Sequence, residues 1–247
     1  MFGTISSFVG SLGSEVPIGI VRKNLVVYLD AGNTNSYAGS GTTWSDLSGR
    51  TPSPFGTINN LGATGISFVS SSYASYFNWA NANTASYIST SRAIAILDMT
   101  IVFQPDFTLN NESNLVGLVG TSNSTTNNDK SLRFQNANGT GPWRTKNPGD
   151  ANDWANTQTT YYINGVATTA DANLGNGWNI FGGGRTNTAT GSFAGPWTYF
   201  LGTEGFNAIA PGRDFKGKIA VVCLYNRILT AAEQLQNYNA LRSRFGL

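Results

Sequence analysis

Few residues of this chain could perform covalent chemistry, and their types restrict which chemistry that would be. The sequence contains one cysteine, Cys223, and no histidine. The absence of histidine excludes the Ser–His and Cys–His catalytic pairs and the usual zinc sites. Cys223 lies within an apolar run, so we expect a small buried core residue rather than a nucleophile or a metal ligand.

Carboxylates are the remaining candidates for catalysis, because glycoside hydrolysis needs two of them held a few ångströms apart. No strand-like segment carries alternating acids, and Asp150 and Asp153 lie in a loop rich in glycine and asparagine. We therefore predict that the chain is not an enzyme and has neither catalytic residues nor an assigned metal site. The same two carboxylates could provide oxygen ligands for calcium, the one cofactor that the sequence leaves open.

One irregular segment combines the residue types that bind sugars. Trp143, Asn152 and Trp154 lie within it, and sugars are bound by aromatic faces together with hydrogen bonds from Asn and Asp. These three residues form the predicted glycan-binding site. The alternative is that both tryptophans pack beneath the loop that carries them.

Composition and charge argue against two classes of partner, nucleic acids and membranes. The 15 Lys and Arg residues are scattered and leave a net charge of only +2, which argues against a nucleic-acid partner because that would need a clustered basic face. No apolar run is long enough to cross a bilayer, so we expect no membrane partner. Only 11% of residues are charged, which suits a protein whose surface is largely covered by neighbours.

The first 24 residues are predicted to form an extended arm. Large apolar side chains recur among Gly and Ser there, which a simple linker would not carry: Phe2, Ile5, Phe8 and Leu12. We expect these four residues to contact a neighbouring subunit. The alternatives are packing on the chain's own domain and a frayed tail.

Residues 25–247 read as one all-β domain. At least nine short strands, rich in β-branched and aromatic residues, are separated by Gly, Asn, Ser and Pro, which is typical of a β-sandwich. Asn164-Gly165 between two such strands predicts a tight hairpin turn.

The end of the chain predicts one strand, a tight connection and the only helix. Ile219 to Tyr225 is an apolar run of strand length. Thr230 and Glu233 have the spacing of a capping box at a helix start. Four residues then recur at helical spacing and should lie against an apolar surface: Leu235, Tyr238, Leu241 and Phe245.

Several segments resemble a known family. The runs from Leu25 to Asn33, Thr43 to Gly49 and Tyr162 to Gly165, and the ending from Phe215 onward, are similar to laminin-G-like, concanavalin-type jelly-roll domains. The final residues, Gln236 to Gly246, resemble the versions found in structural proteins of tailed phages. The resemblance implies a jelly-roll β-sandwich with one C-terminal helix and a virion setting. One fold hosts many functions, so the role needs separate argument.

We expect a non-enzymatic virion structural protein, namely a capsid decoration (cement) protein on the phage head surface. The arm would anchor it in part to the major capsid protein or other virion proteins, and a homo-oligomer is expected. The sequence has no long repetitive stem, which favours the capsid surface over a fibre. The alternative is a lectin-like domain of a head or tail fibre that mediates attachment to a host surface glycan.

Overall fold

The computed structural model describes twelve parts of the 247-residue chain: residues 19–50, 56–62, 65–79, 86–90, 93–106, 115–121, 132–136, 143–145, 160–168, 174–184, 198–203 and 215–247. These parts contain fifteen strands and one α-helix. The strands are β1 (Leu25–Asp30), β2 (Thr43–Trp44), β3 (Gly56–Ile58), β4 (Ser67–Val69), β5 (Tyr76–Asn78), β6 (Ile88–Thr90), β7 (Asp98–Pro105), β8 (Leu115–Thr121), β9 (Leu132–Asn136), β10 (Trp143–Thr145), β11 (Tyr161–Ile163), β12 (Val166–Thr168), β13 (Asn179–Gly184), β14 (Tyr199–Leu201) and β15 (Gly217–Tyr225).

Two antiparallel sheets make up the fold. Sheet A has eight strands in the order β12-β11-β13-β7-β15-β5-β4, with β1 also paired to β15. Sheet B has seven strands in the order β10-β9-β8-β14-β6-β3-β2. The predicted all-β sandwich is therefore confirmed. The hairpin turn between β11 and β12 is also confirmed, because Asn164 and Gly165 both have positive φ, at 51° and 77°.

The strand β15 is the centre of sheet A. It pairs with β7 along one side, and with β5 and then β1 along the other. Ile219, Val222 and Leu224 enter the core between the two sheets. Val221, Cys223 and Tyr225 belong to a second cluster on the outer face, under the C-terminal helix. Because both faces are covered, the strand reads as a continuous apolar run instead of an alternating one.

The helix α1 (Ala231–Leu241) covers part of the outer face of sheet A and continues into a 3₁₀ turn at Arg242–Phe245. The predicted capping box is confirmed: the Thr230 hydroxyl accepts a hydrogen bond from the Glu233 amide, and the Glu233 carboxylate accepts one from the Thr230 amide. These bonds satisfy amide groups that the first helical turn would otherwise leave unpaired.

The predicted apolar stripe of this helix is wrong in part. Leu241 and Phe245 are buried as predicted, whereas Leu235 is 47% exposed. Gln234 and Asn237 are buried instead. The reason is that the sheet surface beneath the first turns of the helix is itself polar, so the helix docks there through hydrogen bonds.

Candidate functional site

The residues predicted to bind sugar are only partly described. Trp143 begins β10, an edge strand of sheet B, and the structure describes its backbone alone. Asn152 and Trp154 lie outside the described residues, and so do Asp150 and Asp153. The four predicted arm residues also lie outside them. The predicted glycan-binding, calcium-binding and arm-contact roles of these residues therefore stay predictions.

Part of the outer face of sheet A forms an open cleft that sequence reasoning did not find. The cleft has a volume of about 240 Å³. It is hereafter called the polar cleft, and its lining residues are Asn78, Gln104, Pro105, Asp106, Asn176, Gly217 and Lys218. Asn78, Gln104, Asp106 and Lys218 are half-buried and Asn176 is exposed, so ligands could reach their polar groups from solvent.

Strand pairing aligns the middle of the polar cleft. Lys218 of β15 is directly opposite Gln104 of β7 on one side and Asn78 of β5 on the other. Neighbouring residues Ile219 and Phe77 point into the inter-sheet core, so this row of three polar side chains must point outward. Three strands that are distant in sequence thus supply two amides and an ammonium side by side.

Hydrogen bonds hold these groups in place. The Lys218 ammonium donates to Gln104 Oε1 at 3.0 Å, and Gln104 Nε2 donates to the Asn176 carbonyl at 2.9 Å. Because an ammonium has three donors, Lys218 keeps capacity for further acceptors. Its Nζ also lies 4.9 Å from the centroid of the Tyr76 ring, within cation–π range. The cation is therefore preorganised before any ligand binds.

Two features shape the walls of the polar cleft. At Gly217, φ is +143° and a β-carbon would collide with the Gln104 carbonyl oxygen, so only glycine fits this close approach. Beside Lys218, the Tyr76 ring meets Trp178 edge to face with centroids 5.7 Å apart. Trp178 in turn packs on Phe245 at 4.9 Å. The chain end thus supports an aromatic wall next to the polar row.

Other reactive groups are buried or isolated in the part of the chain that the structure describes. Cys223 is fully buried, as predicted, and burial raises the pKa of its thiol well above the usual range. The described residues contain no group of three or more Cys, Asp or Glu side chains that could hold a metal ion. No described helix has the length and apolar character needed to cross a bilayer.

Sequence reasoning missed the polar cleft because its residues are dispersed. Asn78, Gln104 and Lys218 belong to three strands that are distant in sequence, and only the register of these strands brings them together. The sequence signal for the cleft was weak. Lys218 interrupts an otherwise apolar strand and Gln104 follows the apolar run from Ile101 to Phe103, and a polar position of this kind is usually just a solvated one.

Comparisons with known proteins support the fold. No protein-family model and no curated protein matches this chain. Trypanosoma rangeli sialidase is similar in structure, with a TM-score of 0.53 at 10% identity over 90% of this chain and 33% of the sialidase. Its complex with sialic acid gives 0.53 at 13% identity over the same shares. Domain 4 of AbnA, a GH43 extracellular arabinanase from Geobacillus stearothermophilus, in complex with arabinotriose, gives 0.43 at 16% identity, over 87% of this chain and 98% of that domain.

The similarity to the sialidases shows an all-β sandwich and goes no further. The chain spans about a third of the length of the sialidases it resembles. Identities of 10–13% leave function to be argued from the site.

Proposed function

We propose that this chain is a non-enzymatic carbohydrate-binding domain and that the polar cleft is its glycan site. The observation that carries the proposal is the row of Asn78, Lys218 and Gln104 across three strands, with Asp106 beside it. Sugar hydroxyls both donate and accept hydrogen bonds. The cleft offers matching amide donors and acceptors, an ammonium donor and a carboxylate acceptor.

The size and openness of the polar cleft favour a small part of a glycan. Its volume of about 240 Å³ lies below the roughly 300–1,000 Å³ of pockets for drug-sized ligands. We infer that one sugar residue, at a chain end or on a branch, enters the cleft. Such a contact is weak by itself, and display of many copies would strengthen it through avidity.

The composition of the polar cleft supports binding without cleavage. Asp106 is the one carboxylate among the described residues that line the cleft, whereas glycoside hydrolysis requires two carboxyl groups flanking the bond.

A pair of lysine variants tests the proposal. Binding to a panel of bacterial surface polysaccharides and monosaccharides is measured by calorimetry, with and without calcium. Lys218→Ala should weaken binding by about 10- to 100-fold, because hydrogen bonds to charged groups contribute roughly 1.5–3 kcal/mol. Lys23→Ala removes the same charge from an exposed site outside the cleft and should bind normally. The absence of wild-type binding, or equal losses in both variants, would refute the proposal.

A virion surface is the second candidate, as the setting in which the domain acts. We infer a capsid decoration protein because the chain end resembles phage structural proteins and because the predicted arm is joined to the helix. The Gly19 carbonyl accepts from Gln236 at 2.8 Å, and the Val21 amide donates to Asn237 at 2.8 Å. Gly19 and Val21 are therefore held at α1, and we infer that the predicted arm contacts a capsid or a neighbouring subunit from there.

Copy number in purified particles tests this setting. Hundreds of copies per particle, lost on deletion of residues 1–18, would support a decoration protein whose arm contacts the major capsid protein. A handful of copies would instead favour a fibre. Glycan binding by the isolated domain is a separate measurement, so the two proposals can fail independently.

A further inference from the structure

A carboxyl group lies buried beneath the first turns of α1, and among the described residues no Lys or Arg side chain pairs with it directly. Asp98, the first residue of β7, is 0% exposed. Its Oδ2 accepts from the Leu229 amide at 2.8 Å, and its two oxygens accept from Gln234 Nε2 at 2.9 and 3.1 Å. Both of these donors are neutral. A carboxylate placed in this way loses its hydration without gaining an ion pair.

The groups that face Asp98 explain why its charge is poorly compensated. Arg227, from the β15–α1 connection, favours the anion, but its guanidinium is paired with Glu233 on the helix. Tyr225 of β15 is neutral, since burial raises the pKa of its hydroxyl above the usual range. The adjacent segment of β13 is Gly182-Gly183-Gly184 and brings no charge. Burial outweighs the hydrogen bonds and raises the pKa of Asp98 to about 7.

Gln234 is the contact through which the protonation state of Asp98 could act on the helix. Its Nε2 donates to Asp98, whereas its Oε1 is a buried oxygen without a hydrogen-bond partner among the described residues. A half-turn of the amide would bring Oε1 to the carboxyl, where it could accept the O–H of a protonated Asp98. A β-carbon at residue 182 would collide with Oε1, so the glycine lets the amide approach β13 closely.

We propose that the protonation state of Asp98 controls how firmly the C-terminal helix packs on sheet A. With a proton, Asp98 is a neutral hydrogen-bonding partner for Gln234 and Leu229, and the helix seats fully on sheet A. Without it, a buried anion remains under the helix and its first turns loosen. Because Gln236 and Asn237 of the same helix hold residues 19–21, loosening the helix also weakens the attachment of the N-terminal segment.

The sign of the effect follows from linkage. The folded-state pKa of Asp98, about 7, lies above the usual value of 3.8, so the stabilisation is complete below about pH 4 and is lost as pH rises toward 7. Between pH 5 and 7 the unfolding equilibrium constant should rise roughly 50-fold relative to Asp98→Asn. The asparagine keeps an acceptor for Leu229, can donate to Gln234 and cannot ionise.

The experiment compares the wild-type chain, Asp98→Asn and Glu233→Gln by denaturant unfolding and by hydrogen exchange of residues 226–241 from pH 5 to 8. Opening of the helix should increase with pH in the wild type and in Glu233→Gln, after correction for intrinsic exchange, but not in Asp98→Asn. Carbon-13 NMR of the wild-type carboxyl groups gives a readout that needs no variant, since one group should titrate near pH 7. Parallel pH profiles for the wild type and Asp98→Asn, or no carboxyl titrating above pH 5.5, would overturn the proposal.

Discussion

The ion pair between Arg244 and Asp30 ties the chain end to the first strand, and its removal should be strongly destabilising. The guanidinium is bidentate, with Nη1 donating to Oδ2 at 2.7 Å and Nη2 to Oδ1 at 2.6 Å. The Asp30 side chain is 7% exposed and that of Arg244 is 24% exposed. Arg244 Nε also donates to the Tyr73 carbonyl at 3.0 Å. Arg244→Ala is therefore the informative perturbation.

The size of the expected loss in unfolding free energy depends on the hydrogen bonds that Asp30 would retain without Arg244. Removing one partner of a buried ion pair costs about 3–5 kcal/mol, because it leaves an uncompensated charge. Asp30 would retain two neutral donors, the Gly32 amide at 2.9 Å and the Tyr28 hydroxyl at 3.1 Å. We therefore expect the lower end, about 3 kcal/mol, which corresponds to a fall in Tm of about 6–12 °C for a chain of this size.

Denaturant unfolding followed by tryptophan fluorescence measures the effect, and Trp178 is a local probe because it packs on Phe245. Arg242→Ala is the matched control, since Arg242 is exposed and its guanidinium lies over the Tyr238 ring, 5.7 Å from the ring centroid. That variant should lose less than about 1 kcal/mol. Adding Asp30→Asn to Arg244→Ala should recover part of the loss. A loss under 1 kcal/mol for Arg244→Ala, or strict additivity in the double variant, would refute the reasoning.

Three further predictions concern the helix and the hairpin. Thr230→Ala should lower the free energy of unfolding by about 1 kcal/mol, measured by urea unfolding, because the capping box loses its hydroxyl. Glu233, whose pKa is lowered to about 2 by hydrogen bonding to Arg227, should contribute stability above about pH 4.5 that is lost as pH falls toward 2. The pair is partly exposed, so acid unfolding of Glu233→Gln should differ by about 1 kcal/mol or less. Gly165→Ala should destabilise the hairpin by more than about 1 kcal/mol, seen as a lower Tm, because φ is +77° and a β-carbon would overlap the Tyr238 ring.

Much of the fold was predictable from local patterns. The hairpin at Asn164-Gly165 and the capping box at Thr230 and Glu233 each depend on residues that are adjacent or three apart, and all were confirmed. The apolar run from Ile219 to Tyr225 also predicted a strand, and that strand is part of β15. These features are decided by short-range chemistry, which a single sequence contains.

The polar features of sheet A were not predictable in the same way. Helical periodicity assigned Leu235 to the buried face, yet Gln234 and Asn237 are buried because Asp98, Thr100 and the Tyr225 hydroxyl lie beneath them. Whether a polar residue is buried depends on its partner across the interface, and that partner is more than 130 residues away for Gln234. The polar cleft depends in the same way on register between distant strands.

Two glycines, Gly182 and Gly217, mark two different parts of the outer face of sheet A. At Gly182 the absence of a side chain admits Gln234, so the helix docks closely and covers that part of the sheet. At Gly217 the absence of a side chain keeps a close backbone contact with Gln104 and leaves the polar cleft open. The helix is held by buried polar contacts, each of which needs both of its partners. Lys218 and Gln104 are also hydrogen-bonded to each other, but both side chains remain partly accessible to solvent. The proposed ligand site therefore lies in the uncovered part of the sheet, and the proposed control by protonation lies in the covered part.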